Sequence, residues 1–145
     1  MSVEQNRTLV QRYYDQFWGR ANVAVIDNFC APNFKFHLGK MADIPHLDAF
    51  KQFVSALFAS FPDFTCPVSE PMLAERDRVV TRYAWSGTHK TESAVVFNGL
   101  PPTGKRVTVT GITIDRLADG KIVEEWCEED IMGLAQQLGV VPPPG

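Results

Sequence analysis

At Pro62 the hydrophobic period of the chain passes from mainly helical to mainly that of strands, and that change limits what the chain can fold into. Upstream, large apolar residues recur three and four positions apart, as on one face of a helix; downstream they alternate, as in a strand. Leu9, Tyr13 and Phe17 stand beside Val10, Tyr14 and Trp18 at four-residue intervals, and Ser2 and Gln5 precede them at the spacing of a capping box. An amphipathic helix with an aromatic face is predicted over residues 2–18. A short second helix is expected over Val23–Phe29, ending before Pro32, and the alternation of Phe34, Phe36 and Leu38 against Lys35 and His37 predicts a strand over Asn33–Leu38. Phe50, Phe53, Val54, Leu57, Phe58 and Phe61 return to the helical period over Leu47–Phe61.

Beyond Pro62 four strand-like runs follow, about Phe64–Ala74, Arg78–His89, Arg106–Leu117 and Lys121–Glu129. Asp119-Gly120 between the last two supplies the positive φ angles of a tight hairpin. Asp130 can cap a final helix through Leu138, with Gly139 as its stop and Pro142-Pro143-Pro144 as a tail that cannot pair. Helices first and a meandering antiparallel sheet afterwards give an α+β domain, with three N-terminal helices on one face of a curved sheet and a short C-terminal helix. Such an arrangement leaves a cone. Its large aromatics, Tyr13, Tyr14, Trp18, Tyr83 and Trp85, either fill a core or line a pocket for a small apolar molecule. The candidate ligand-contacting residues are Tyr14, Trp18, His37, Phe53, Tyr83, Trp85 and His89.

With 145 residues and 45% apolar content the chain is the size of one domain with a sizeable core, expected to span residues 1–145. A formal charge of −3 provides no positive field for nucleic acid or anionic lipid. No apolar run approaches the roughly 20 residues of a membrane span, and the first residues lack a signal-peptide core, so a cytoplasmic protein is expected. Cys30, Cys66 and Cys127 are odd in number and form no C-x-x-C pair, so free thiols are expected. His37, His46 and His89 have no metal-ligand spacing, and neither a metal nor an organic cofactor is expected.

Gly99-Leu100-Pro101-Pro102-Thr103-Gly104-Lys105 fits the start of a phosphate loop, but Arg106 stands where Ser or Thr should bind the metal. The two prolines remove backbone donors, and a strand pattern follows rather than a helix, so the match is a decoy. From Asp115 to Asp130 seven carboxylates face only Arg116 and Lys121. A carboxylate buried in an apolar cone has its pKa raised toward neutrality and can serve as a general base. Alternation places Glu125 and Glu129 with Val123 and Cys127, and Glu124, Glu128 and Asp130 with Trp126, so only one set can look inward. His37 or His89 could act as acid or base near neutrality.

The segments Phe50-Lys51-Gln52-Phe53 through Phe61-Pro62-Asp63, Asp77-Arg78-Val79-Val80, Gly87-Thr88-His89, the GLPPTGK run 99–105, and Asp119-Gly120-Lys121-Ile122-Val123-Glu124-Glu125-Trp126 through Gln137-Leu138-Gly139 together resemble the SnoaL-like polyketide cyclases, the ester cyclase branch of the nuclear-transport-factor-2-like superfamily. The resemblance covers nearly the whole chain. It implies a cone-shaped α+β barrel, a homodimer or homotetramer, and no metal or organic cofactor. It also implies a general-base aspartate that takes an α-proton for an intramolecular aldol closure, with a histidine on the neighbouring strand. Those two positions fall on Cys127 and Thr113. Both are departures, because a thiol with a pKa near 8.5 is mostly neutral at pH 7 and threonine relays no proton in that range. The residues 90–98 form a connection longer than is usual in the family, at the mouth of the cone.

Three readings follow. In the first, the chain is a cofactor-free cyclase-like or isomerase-like enzyme in which Glu125 or Asp115 replaces the lost base. In the second, it holds a small hydrophobic molecule without reaction, Cys127 and Thr113 merely lining the cone. In the third, its sheet serves oligomerisation and the cone is filled.

Overall fold

A computed structural model describes residues 1–143; Pro144, the end of the expected proline tail, lies outside them. The first helix, α1 (Val3–Tyr13), starts from the expected capping box, the Ser2 hydroxyl accepting from Gln5 N–H while the Gln5 side chain accepts from Ser2 N–H. It then widens into a π-helical turn over Tyr14–Trp18, where Gly19 N–H donates to Tyr14 C=O at 2.7 Å. Neighbours on a helix point about 100° apart, and the wider turn reconciles the two adjacent pairs Tyr13–Tyr14 and Phe17–Trp18, all four of which are buried. A 3₁₀ helix, Val23–Asn28, takes the place expected for a second helix.

Strand β1 (Cys30–Leu38) begins earlier than predicted and turns back through a short β2 (Ala42–Ile44) that the alternation did not reveal. Helix α2 (Leu47–Ser60) is capped by His46, whose ring accepts from Ala49 N–H, and it ends before Pro62. Then come β3 (Val68–Glu75), β4 (Arg78–Thr88), β5 (Arg106–Ala118), β6 (Lys121–Glu129) and α3 (Ile131–Gln137), the last capped by Asp130. The run 64–67, expected as strand, makes only a single bridge, Thr65 to Ser86.

The six strands form one sheet in the order β2-β1-β6-β5-β4-β3. β3 to β6 meander antiparallel, but β1 pairs with β6 in parallel, so the sheet is mixed rather than wholly antiparallel as expected. Asp119 (φ +52°) and Gly120 (φ +75°) make the predicted hairpin. Just past it the register shifts, with Leu117 opposite Ile122 but Arg116 opposite Glu124. Val123 is the extra residue of this bulge, and the bulge turns Ile122 inward instead of Val123. From Glu125 onward the expected alternation holds.

Helix α1 packs against β3 and β4, and α2 against β1 and β2, so both cover the same concave face. The core between them is largely aromatic: Phe17, Trp18, Phe34, Phe36 and Phe58 surround Phe50 at ring separations of 4.8 to 6.2 Å or pack on its neighbours. Among the described residues no helix is long and apolar enough to cross a membrane.

Candidate functional site

Antiparallel pairing sets the inward residues of β4, β5 and β6 in three rungs: Tyr83–Gly111–Glu129, Thr81–Thr113–Cys127 and Val79–Asp115–Glu125. Each rung places a polar side chain of β6 toward the concave side. Above them lies an apolar cavity of about 80 Å³, within a cleft of about 770 Å³ that opens to solvent. Tyr14, Trp18, Phe53, Tyr83 and Trp85 line it, as do Thr113, Glu125, Cys127 and Glu129. Val95, Val96 and Phe97 of the long connection also line it, with Ile131 and Leu134 of α3.

The rung of Glu125 is a pair of buried carboxyls. Asp115 and Glu125 face each other on adjacent strands, neither with meaningful exposure. Glu125 accepts the Tyr13 hydroxyl at 2.9 Å. Among the described residues neither Asp115 oxygen meets a donor, and the Glu125 carboxyl opposite can bond to it only with a proton between the two. Burial, and then the Glu125 charge, holds Asp115 well above the ordinary carboxylate range, so it keeps that proton. Burial also lifts Glu125, while the bonds from Asp115 and Tyr13 pull it back, leaving it at about 7. The arrangement is an acid and a carboxylate sharing one proton near neutral pH, with Glu125 as the member that reaches the cavity and Asp115 behind it.

The middle rung carries the positions that the family resemblance marks. Thr113 and Cys127 are indeed cross-strand partners. Burial pushes the Cys127 thiol far up, and the Tyr83 hydroxyl lies 3.0 Å from its sulfur, so it is neutral. The Thr113 hydroxyl is 2.5 Å from that of Tyr14. All three cysteines are free and buried.

At the third rung a glycine does the positioning. Gly111 has no side chain, so the Tyr83 ring crosses it and its hydroxyl donates to Glu129 Oε1 at 2.6 Å; Trp85 Nε1–H donates to the same oxygen at 2.9 Å. A Cβ at Gly111 would overlap that hydroxyl and the ring carbons beside it. Gly111→Ala is therefore expected to displace Tyr83 and lower stability by roughly 1–3 kcal/mol in urea unfolding, the usual range for overpacking. Unchanged stability would show that the ring has room to move. Burial raises the pKa of Glu129, and the bonds from Tyr83 and Trp85 oppose that rise.

Two histidines expected at the site are elsewhere. His37 lies on the outer face of the sheet, bridging Asp43 and Glu124 at 2.7 Å each and stacked on Trp126. His89 is fully buried but does not line the cavity: its ring stacks on Phe61, and Nδ1 accepts Thr103 N–H at 3.2 Å, clamping the connection before β5. The phosphate-loop look-alike is that same connection, and Arg106 opens a strand. Glu129 is the inward residue that was not singled out from the sequence. Its signal was its place two and four residues beyond Cys127 and Glu125 on one strand face.

Comparison with known proteins agrees with this geometry. The sequence pattern of the SnoaL-like polyketide cyclases matches residues 8–138. A proposed SnoaL-like polyketide cyclase from Jannaschia sp. CCS1 superimposes with a TM-score of 0.82 at 26% identity, covering 97% of this chain and 94% of that one. AclR of Streptomyces galilaeus, a proposed hydroxylase, gives 0.81 at 26% identity over 99% of this chain and 87% of that one. IdmH of Streptomyces antibioticus, a proposed polyketide cyclase, gives 0.72 at 27% over 93% and 99%. No curated protein matches the sequence. With the family pattern running from α1 to the end of α3 and the cone built as that family builds it, the chain belongs to the SnoaL-like polyketide cyclase family.

Proposed function

We propose that the cavity takes a small, uncharged aromatic carbonyl compound and that Glu125 removes a proton from the carbon next to the carbonyl. The observation that carries this reading is the buried Asp115–Glu125 pair, which keeps one carboxylate near neutrality at the wall of an apolar cavity. The α C–H bond breaks as its proton passes to Glu125, and the electron pair moves into the carbonyl as an enolate. Trp18, a lining residue whose indole N–H has no partner among the described residues, is available to donate to the developing oxyanion. The enolate then either regains a proton or attacks a second carbonyl of the same molecule, which closes a ring. Among the described residues no lysine, arginine or histidine lines the cavity, which disfavours an anionic substrate.

The fold alone does not select the reaction, since AclR, a proposed hydroxylase, has the same architecture. Cys127 and Thr113, standing where the base and its partner are expected, favour a second reading in which the cone only binds. The two separate in one experiment. In heavy water, followed by proton NMR, the protein should accelerate α-hydrogen exchange of propiophenone beyond buffer and saturate with ketone. No acceleration would count against proton abstraction and favour the readings without reaction.

A further inference from the structure

Glu129 stands four residues from Glu125 on the same strand face, so their backbones are about 13 Å apart, at two separate points along the wall of one cavity. Both of the donors that hold Glu129 converge on Oε1. Oε2 makes no hydrogen bond among the described residues, and Glu129, half-buried, is set among the aromatic residues that line the cavity. Such an oxygen keeps its acceptor capacity for whatever enters the cavity, where a bound donor takes the place of water.

We propose that Glu129 Oε2 accepts the hydroxyl of a phenolic ligand, making this end of the cavity a recognition subsite for an aromatic ring bearing a free O–H. Tyr83 and Trp85 fix the carboxylate's orientation, and the aromatic walls that include Phe61 and Phe64 take the ring. A single free oxygen matches a single O–H. An ammonium group brings three N–H donors to that one free oxygen and must shed its hydration to enter an apolar cavity. The inference rests on the cavity being the ligand site, as in the reading above, but not on proton abstraction at Glu125.

The test compares three single-ring probes of similar size, para-ethylphenol, ethylbenzene and para-ethylbenzylammonium, titrated into the protein by heteronuclear NMR. The wild type should bind the phenol about tenfold tighter than ethylbenzene, the usual value of a hydrogen bond to a charged group. The indole N–H signal of Trp85 should move with the phenol. Glu129→Gln, which keeps an acceptor for Tyr83 and Trp85 but presents an amide to the ligand, should cut the preference to within about twofold. Ethylbenzene affinity should stay unchanged in that variant, which shows an intact cavity. Glu129→Asp should retain part of the preference and serves as the second variant if the glutamine protein does not fold. Equal binding of phenol and ethylbenzene, tighter binding of the ammonium, or a preference that survives Glu129→Gln would overturn the subsite while leaving the cavity as a ligand site. Binding of none of the probes would overturn both.

Discussion

Glu125→Gln is expected to lower the rate of α-hydrogen exchange by about 100-fold or more, the usual scale for loss of a positioned general base. Glutamine keeps the volume and can still accept the Tyr13 hydroxyl, so the loss would report the carboxylate and not a collapsed wall. Asp115→Asn provides the contrast. Its amide can still donate to Glu125, so exchange should fall by less than about tenfold, because Asp115 sits behind the reacting group and does not line the cavity. Near-UV circular dichroism should show that both variants are folded. Equal losses in the two would mean that the pair acts as a structural unit and that Glu125 has no separate chemical role.

The second large effect is on stability. Asp115, Glu125 and Glu129 all have carboxyl pKa values raised by burial, so between their unfolded and folded values the native state binds more protons than the unfolded chain. Stability from these groups is complete below their unfolded values and declines as pH rises through the folded ones. For Glu125 alone the decline from about pH 5 to about pH 8 amounts to roughly 2–3 kcal/mol. His37, raised by its bond to Asp43, acts in the same direction. His89, lowered by burial, opposes it, and Glu124 and Asp63, both lowered, matter only in stronger acid. Urea unfolding should therefore give greater stability near pH 5 than near pH 8, with a shallower slope in Glu125→Gln. Greater stability at the higher pH would contradict the buried pair.

Local chemistry made much of this fold legible. The strand Lys121–Glu129 follows from its sequence because Asp119-Gly120 fixes one end and the Asp130 cap the other. Ser2 and Gln5 place the start of α1 in the same way. The parallel union of β1 with β6 was not legible, since it joins segments about 90 residues apart and no turn encodes it. The bulge at Val123 was equally silent, and it decides that Ile122 and Glu125 both face inward.

At the site, alternation brought Glu125, Cys127, Thr113 and Asp115 to one face, but it could not say what each side chain meets there. His37 and His89 show the difference. A histidine beside large apolar residues in a strand reads as a pocket residue, whereas Asp43 and Glu124 draw the first to the outer face and Thr103 ties the second to a loop. The importance of Glu129 depends on Gly111, because only a glycine on the middle strand lets Tyr83 reach across to it. That relation spans three strands and leaves no mark in the spacing of any one of them.

The central claim is that a carboxylate poised near neutrality performs proton abstraction in the cavity, and the pH dependence of α-hydrogen exchange measures it directly. The account predicts a rate that rises through one midpoint at about 7 and loses that step in Glu125→Gln. A midpoint in the ordinary carboxylate range of about 4 to 5, or a profile that Glu125→Gln leaves unchanged, would contradict it.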